Sequence, residues 1–353
     1  MKTVIRRTVA IGGIVALILL ALWGYLIVRP SRHVASQPPT PRLNQVFVIM
    51  MENHSLGTMP PALAPYIHQL IRLDGYDSSY YGVTHVSLPN YVALLSGSTH
   101  HTHSDNPDQT FDGVTLANQL TTHHISWQAV MQSLPQVGYS GNWYPERPGT
   151  NPVLMPKNAL YAKKHDPFML FPQIAQSGTV HLVPLHTLTR ELAFGRVPRF
   201  VFITPNLCSD MHGQPVGSKG CPSNHPDALV RMGNAFLARL IPEITHSRAF
   251  TGHSVIFITW DESQTPRHLW NIIAWKNWLK AGPQPPHTLF IPVGGGSVPL
   301  IAIIPGKIQP PHVKIWADHY SLLKTIEAGF GLPYIGQARS PKVQPLTRLV
   351  LPR

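Results

Sequence analysis

Five runs of apolar residues, rich in β-branched side chains, constrain the fold of this chain more than any other feature. They are Gln45–Met51, Ser126–Met131, Phe200–Thr204, Ser254–Trp260 and Val298–Ile304. Apolar residues in these runs do not alternate with polar ones, which is typical of strands that are covered on both faces. The sequence therefore predicts a mostly parallel central sheet.

Segments with helical spacing of apolar residues alternate with these runs. They are Pro61–Leu73, Pro89–Leu95, Asp227–Ile241 and Asp318–Phe330. Alternating strands and helices predict an α/β fold, and we expect a three-layer α/β/α sandwich. The 353 residues are 43% apolar, which is enough to bury a full core and argues against a disordered chain.

The N-terminus predicts a membrane anchor. Lys2, Arg6 and Arg7 precede an uncharged apolar run over residues 9–28, and twenty residues in a helix span about 30 Å, the thickness of a bilayer's hydrocarbon core. The alternative is a cleaved signal peptide, whose apolar region is usually shorter and ends at small residues. We expect a single-pass protein of the inner membrane with its body on the periplasmic side, or a secreted protein if the segment is cleaved.

The chain therefore divides into four parts. Residues 1–30 form the anchor or signal segment, 31–42 a Pro-rich linker, 43–340 the main domain and 341–353 a C-terminal tail. The net charge of +12 is scattered over the chain, which favours a solvated basic surface, so no nucleic acid is expected as a partner.

The chain has two cysteines, Cys208 and Cys221. An even number of cysteines in an exported protein favours a disulfide. A pair of metal-binding thiolates is less favoured, because no further cysteine supports such a site.

Polar residues follow the predicted strands at the edge where ligands bind in open α/β sheets. Glu52 and Asn53 follow the first strand, and Asp261 and Glu262 follow Ser254–Trp260. Each could singly be a cap or a solvated turn, but together they could supply oxygen ligands to a hard divalent cation. Similar clusters after other runs contain Asp210, His212, Asp318 and His319.

Ser87 stands just before Pro89, where a helix is predicted to begin. One interpretation is an ordinary N-cap. The other places the hydroxyl where helix N–H groups meet an anionic phosphate and where a nearby cation activates it as a nucleophile. Asn90 could then donate a hydrogen bond to a phosphoryl oxygen.

Five motifs in order make the chain recognisable. They are Met51-Glu52-Asn53-His54-Ser55, Ser87-Leu88-Pro89-Asn90-Tyr91, Asn206-Leu207-Cys208-Ser209-Asp210-Met211-His212, Trp260-Asp261-Glu262 and Asp318-His319-Tyr320-Ser321-Leu322-Leu323. With these motifs the chain resembles the phosphoesterase family of acid phosphatases and bacterial phospholipases C, within the alkaline-phosphatase superfamily, over most of residues 45–332. In that superfamily the nucleophile stands ten residues before a glycine at the end of its helix, as Ser87 stands before Gly97.

The resemblance implies an alkaline-phosphatase-like fold with Ser87 as nucleophile. It implies one divalent metal ion, a hard and oxygen-preferring cation, with the ligands Glu52, Asn53, Asp261 and Glu262. Around the transferring phosphoryl group it implies Asn90, His212 and His319, with His85, Asp210 and Asp318 as further substrate-binding candidates. Sulfatases of the superfamily carry an Arg where this chain has Tyr91, so formylglycine maturation is not expected.

The sequence thus predicts a membrane-anchored hydrolase of small phosphorylated substrates that works through a phosphoserine on Ser87. His212 or His319, protonated at acidic pH, is expected to stabilise the phosphoryl oxygens or to protonate the leaving oxygen. A phospholipase C-type phosphodiesterase is the nearest alternative, and the short C-terminal region favours the phosphatase. A catalytically inactive anchored binding protein on the same fold is the other alternative.

Overall fold

The computed structural model describes residues 38–146, 151–177, 179–266, 270–284, 294–306 and 311–351. They belong to one compact unit, Gln37–Arg353. The predicted anchor over residues 9–28 lies outside the described residues. Within the ranges given above, no helix is long and apolar enough to cross a membrane.

The elements alternate along the chain much as the apolar pattern predicts. The strands in the described ranges are β1 (Gln45–Met51), β2 (Gly75–Asp77), β3 (Tyr80–Tyr81), β4 (Trp127–Met131), β5 (Trp143–Tyr144), β6 (Tyr161–Ala162), β7 (Leu182–Pro184), β8 (Phe200–Thr204), β9 (Ser254–Trp260), β10 (Leu300–Ile303), β11 (His312–Val313) and β12 (Ala317–Asp318). The α-helices there are α1 (Pro65–Leu73), α2 (Ser87–Ser96), α3 (Leu116–Thr122), α4 (Pro172–Ser177), α5 (Leu185–Phe194), α6 (Pro226–Thr245), α7 (Ile272–Trp278), α8 (His319–Phe330) and α9 (Thr347–Val350).

The main sheet is mixed and has the strand order β11-β2-β10-β9-β1-β8-β4-β7. Strands β9, β1, β8, β4 and β7 pair in parallel. Strand β10 is antiparallel to both of its neighbours, β9 and β2. An apolar run carries no signal of direction, so the sequence could not single out β10 among the predicted strands.

The central strands β1, β4, β8 and β9 are buried at every residue. Because successive side chains of a strand point to opposite faces, both faces of the sheet centre are covered. Among the helices, α1 packs against α6, and α2 packs against α8. The predicted α/β class is confirmed, and the covered faces agree with the expected layers.

Strand register brings the polar segments together at one edge. Met51, the last residue of β1, pairs with Trp260, the last residue of β9. Glu52 and Asp261 therefore leave neighbouring strands side by side. The Asp261 N–H donates to the carbonyl of Met51 at 2.9 Å, and the Glu52 N–H donates to the carbonyl of Asp210 at 2.8 Å.

A disulfide between Cys208 and Cys221 closes the loop that follows β8, as predicted. Gly213 in this loop has a φ of 84°, and a Cβ there would lie 2.9 Å from the Cα of Ser223. Only glycine fits this left-handed and crowded position. The closed loop carries Asp210 and His212 toward the end of β1.

Candidate active site

Ser87 is the first residue of α2, and the N-cap is Val86. The interpretation of Ser87 as a capping residue is therefore wrong. Its hydroxyl instead donates to Oε2 of Glu52 at 3.0 Å, with both side chains buried. The Leu88 N–H in the same helical turn donates to Oδ1 of Asp105 at 3.0 Å, so a carboxylate already takes one of the free amides of the helix start.

The four predicted metal ligands lie around Ser87. The Asn53 side-chain amide donates to Glu52 Oε2 at 2.8 Å, and the Asn53 N–H donates to Asp261 Oδ1 at 2.8 Å. Asn53 has a φ of 54°, a left-handed conformation that asparagine tolerates better than most residues. Glu262 follows Asp261. Burial raises the pKa of both carboxyls, and hydrogen bonding to Ser87 lowers it by a smaller amount.

Four buried side-chain atoms at this edge make no hydrogen bond of good geometry, although three of them lie within ion-pair distance of a neighbour in the same group. They belong to what we call the open group: Glu52 Oε1, His165 Nε2, Asp210 Oδ2 and Asp261 Oδ2. His165 Nε2 lies 3.1 Å from Glu52 Oε1, and His165 Nδ1 lies 3.2 Å from Asp210 Oδ2. Buried polar atoms are almost always hydrogen-bonded in proteins, so four such atoms in one place indicate a binding site.

The electrostatics of the open group favour a cation. Burial, and after it repulsion from Asp261 and Asp210, raises the pKa of Glu52 well above its ordinary value. Burial and then repulsion from Glu262 raise the pKa of Asp261 to about 8, and burial raises the pKa of Asp210 as well. A divalent cation would relieve this repulsion, and carboxylate oxygens are its preferred ligands. Glu52 and Asp261, which belong to both the open group and the predicted ligand set, therefore fit the metal ion that the resemblance implies.

His165 is a site residue that sequence reasoning missed. Its ring stacks on Tyr91, with 5.2 Å between ring centroids. The ligand atoms of Glu52, His165 and His212 all lie within 4.8 Å of one another, which makes these three residues a second possible metal-binding set. His165 follows no predicted strand, so nothing in its sequence surroundings separates it from an ordinary buried histidine.

Lys164 is another missed residue, and it supplies positive charge to the site. Its side chain is buried, and Nζ donates to Asp105 Oδ2 at 2.6 Å and to His212 Nε2 at 3.1 Å. Burial opposes the charge of Lys164, but Asp105 and Glu52 outweigh burial and raise its pKa above the ordinary value. The ammonium group is therefore charged.

His212 and His319 do not have the charge that the sequence-based mechanism requires. Loss of solvent around the ring, and then the charge of Lys164, lower the pKa of His212 to about 3. Burial lowers the pKa of His319 to about 4. Both rings are neutral in weakly acidic solution, so the expectation of a protonated histidine is not supported.

Three of the predicted residues form what we call the paired group: Asn90, Asp318 and His319. Asn90 Oδ1 accepts from the N–H groups of Val83 and Thr84, and Nδ2 donates to the carbonyls of Thr84 and Val86. All hydrogen-bonding capacity of Asn90 is thus spent on the segment before Ser87. This leaves none for a phosphoryl oxygen.

Asp318 and His319 are similarly occupied. Asp318 caps α8 by accepting from the N–H groups of Tyr320 and Ser321, and its second oxygen accepts from the Gln284 N–H at 3.3 Å. His319 Nε2 donates to the carbonyl of Asp261 at 2.7 Å, and Nδ1 accepts from the Tyr80 hydroxyl at 2.9 Å. His319 therefore positions Asp261 rather than facing a substrate.

His85 lies at the rim of the site. Its Nδ1 contacts the Glu262 carboxylate, and its Nε2 donates to the carbonyl of Trp278 at 3.0 Å. The rings of His85 and Trp278 stack, with centroids 4.2 Å apart. Because His85 is two residues from Ser87, α7 is joined directly to the segment that carries the candidate nucleophile.

Comparison with solved structures identifies the fold. The chain is similar to a protein of the alkaline phosphatase superfamily from Vibrio parahaemolyticus, with a TM-score of 0.53 and 12% identity over 93% of this chain and 76% of the other. It is also similar to the lipoteichoic acid synthase LtaP of Listeria monocytogenes, with a TM-score of 0.54 and 10% identity over 90% and 79% of the two chains. Identities this low show the fold alone.

The family follows from the sequence. The model of the phosphoesterase family matches residues 73–333, so the chain belongs to this family, and the resemblance is confirmed. A phosphate-repressible acid phosphatase of Penicillium chrysogenum is 25% identical over 79% of this chain and 57% of its own length. An acid phosphatase of Aspergillus fumigatus is 26% identical over 74% of this chain and 49% of its own length. The chain thus spans about half the length of these fungal relatives.

A bacterial relative has a length closer to that of this chain. It is a phosphatidylinositol-3-phosphatase of Mycobacterium tuberculosis, 23% identical over 95% of this chain and 92% of its own length.

Proposed function

We propose that this protein is a metal-dependent hydrolase of phosphate esters, with Ser87 as nucleophile. The observation that carries the proposal is the place of the Ser87 hydroxyl, which lies 3.0 Å from Glu52 Oε2 at the start of a buried helix. It lies beside carboxyls that have buried, unpaired oxygens. Membership of the phosphoesterase family supports the same reaction.

Glu52, Asn53, Asp261 and Glu262 would hold the metal ion, which when bound polarises the nucleophile and reduces the repulsion between the phosphoryl group and the carboxylates. The set of Glu52, His165 and His212 is the alternative. Lys164 Nζ already donates to His212 Nε2, and this contact would have to break before His212 could bind a metal. In the oxygen set, Glu52 Oε1 and Asp261 Oδ2 have no hydrogen bond to break, whereas Glu262 would have to leave or share its contact with His85.

In the first step, Ser87 Oγ attacks phosphorus, an O–P bond to the serine forms, and the bond to the leaving alcohol breaks. Glu52 Oε2 accepts the hydrogen bond of the Ser87 hydroxyl and would take its proton. In the second step, water attacks the phosphoserine, inorganic phosphate leaves and the serine hydroxyl is restored. The leaving alkoxide takes one proton from solvent while Glu52 returns its proton to solvent, so the first step involves no net gain or loss of protons. In the second step the attacking water gives its hydroxyl to phosphorus and its other proton to the serine oxygen.

Lys164 takes the electrostatic role that the sequence assigned to a protonated histidine. Its ammonium is charged and fixed by Asp105, and it would stabilise negative charge that develops on the phosphoryl group. His212 stays neutral and accepts from Lys164, which fixes the direction of the ammonium group.

Phosphomonoesters are the favoured substrates. The relatives described above carry the names of phosphatases, and this supports a monoesterase over the phospholipase C-type phosphodiesterase, which stays the alternative. We further propose that residues 9–28 anchor the domain at the periplasmic face of the inner membrane, which N-terminal sequencing of membrane-extracted protein would test by a start at or near Met1.

A phosphate-release assay on purified protein tests the function. We expect release from 4-nitrophenyl phosphate, much slower cleavage of bis(4-nitrophenyl) phosphate, and loss of activity on removal of the metal with a chelator. Readdition of a divalent cation should restore activity. Faster cleavage of the diester would support the phosphodiesterase, and no release from either substrate with any divalent cation would support an inactive binding protein.

A further inference from the structure

A short surface helix beside the site carries large apolar side chains that the core does not use. No residue of α7 is buried, and Trp270, Ile272 and Ile273 are 79%, 76% and 83% exposed. Single exposed apolar residues are ordinary, but a cluster within four positions marks an interaction surface. We call residues 270–280 the apolar segment.

The apolar segment is an ordered part of the fold, although the core does not hold it. Asn271 caps α7 by accepting from the N–H of Ala274 at 3.0 Å. At the other end, Trp278 stacks on His85 and accepts its hydrogen bond. The segment is therefore fixed to the rim of the candidate active site while its isoleucines face solvent.

The charges on and around the apolar segment indicate which kind of partner binds it. Lys276 and Lys280 are exposed beside the apolar residues. The sequence from residue 263 to residue 317 contains no Asp or Glu, and the acids at its two ends, Glu262 and Asp318, are buried. Trp and Ile flanked by lysine are typical of helices that lie in the interface of an anionic bilayer.

We propose that the apolar segment docks this protein on an anionic phospholipid bilayer. Trp270, Ile272 and Ile273 would enter the boundary between head groups and acyl chains, and Lys276 and Lys280 would lie against lipid phosphates. The contact between Trp278 and His85 then holds the active site next to the bilayer surface. Docking is separate from the reaction, so it can be measured in protein without turnover.

The depth of one position in the bilayer tests the proposal. The full chain carrying Ser87→Ala and Ile273→Cys is labelled with a nitroxide, because the two native cysteines form a disulfide and do not react. It is mixed with vesicles of phosphatidylcholine and phosphatidylserine. We expect the label to become accessible to oxygen and shielded from a water-soluble nickel chelate.

Phe194→Cys is the matched control, since Phe194 is 72% exposed at the end of another helix. A label at position 194 should stay accessible to the nickel chelate. The experiment measures the depth of the label in the bilayer and not the fraction of protein bound. Residues 9–28 would bind vesicles equally in every variant, so they would not change the comparison. Ile273 is exposed, so its replacement should not affect folding.

Substitution of the two lysines of the apolar segment is the second part of the test. Lys276→Gln and Lys280→Gln should each weaken docking about 5-fold, because a basic residue near an anionic surface contributes about 1 kcal/mol. The proposal is overturned if the label at 273 stays water-accessible, or if positions 194 and 273 are shielded equally. Equal shielding on pure phosphatidylcholine, or no effect of the lysine variants, would also overturn it.

Discussion

The open group and the paired group lie side by side at the same edge of the sheet, and they differ in how their hydrogen bonds are satisfied. Each member of the open group has a buried atom without a hydrogen bond. In the paired group, Asn90, Asp318 and His319 have protein partners for each polar side-chain atom. An unpaired buried polar atom costs about 1–3 kcal/mol, so we infer that the open group is a site for a ligand and that the paired group is its frame.

This difference shows that residue type alone does not decide whether a side chain at this edge faces a ligand or holds the backbone. Asp261 and Asp318 are both buried aspartates at the ends of β-strands, Asp261 just after β9 and Asp318 as the last residue of β12. Asp318 uses both oxygens to hold backbone N–H groups, whereas Asp261 keeps Oδ2 unpaired beside Glu52. Substitutions in the two groups should therefore separate loss of chemistry from loss of stability.

The largest effect is expected from Ser87→Ala. Turnover should fall about 1,000-fold or more, because the nucleophile is lost. The melting temperature should stay near that of the wild type, since Ser87 does not cap α2. Steady-state kinetics and thermal denaturation check the two outcomes.

Ser96→Ala is the matched control for Ser87→Ala. Ser96 is a buried serine at the other end of α2, and its hydroxyl donates to the carbonyl of Val92. Its replacement should change turnover only a few-fold. If Ser87→Ala keeps more than about a tenth of the wild-type turnover, Ser87 is not the nucleophile.

Asp261→Asn and Asp318→Asn compare the two groups directly. Asp261→Asn should lower turnover by about 100- to 1,000-fold and should also lower bound metal, which elemental analysis measures. The metal-free variant should not be less stable than metal-free wild type, since repulsion with Glu52 is removed. Asp318→Asn should leave turnover per folded molecule nearly unchanged. Loss of turnover in Asp318→Asn equal to that in Asp261→Asn would contradict the division into two groups.

Lys164→Met should reduce turnover by about 10- to 100-fold, because the site loses its fixed positive charge. The KM for a phosphomonoester should also rise. Lys163→Met is the control, since Lys163 is the preceding lysine and is only partly buried. Equal effects of the two substitutions would show that Lys164 acts only through general stability.

The smallest effect on activity is expected from a change in the pH dependence of stability. It concerns Asp318 in the paired group, and it should be measurable in the free energy of unfolding. Burial raises the pKa of Asp318 to about 7. Its folded pKa is above the unfolded value, so its contribution to stability is present at low pH and is lost as the pH rises through about 7.

Between pH 5 and pH 8, this loss in the free energy of unfolding is of order 2 kcal/mol. In Asp318→Asn the dependence should be smaller by about that amount, as denaturant unfolding at the two pH values would show. An unchanged pH dependence in the variant would mean that Asp318 is ionised at the same pH in the folded and unfolded chain.

The sequence predicts the framework of this molecule in detail. The bounds of β1, β8 and β9 agree residue for residue with the predicted runs Gln45–Met51, Phe200–Thr204 and Ser254–Trp260. Strands buried on both faces are continuous in apolar residues, so their ends are visible where polar residues begin. The strand ends in turn mark Glu52 and Asp261.

The remaining features depend on contacts between distant parts of the chain. Lys164 and His165 reach the site from a short 3₁₀ helix, Lys163–His165, which follows β6 and none of the predicted runs. The pairing of Asn90 with the segment before Ser87, and of His319 with the carbonyl of Asp261, depends on geometry that no local pattern encodes. The low pKa of His212 likewise comes from its enclosure and from Lys164.

Trapping the phosphoryl group on the enzyme tests the central claim most directly. Wild-type protein mixed with a phosphomonoester and quenched rapidly in acid should carry one phosphoryl group, and peptide mass spectrometry should place it on Ser87. Ser96, in the same helix, should carry none. Rapid turnover without any phosphoryl group on Ser87 at any quench time, together with a Ser87→Ala variant that still releases phosphate, would contradict the account.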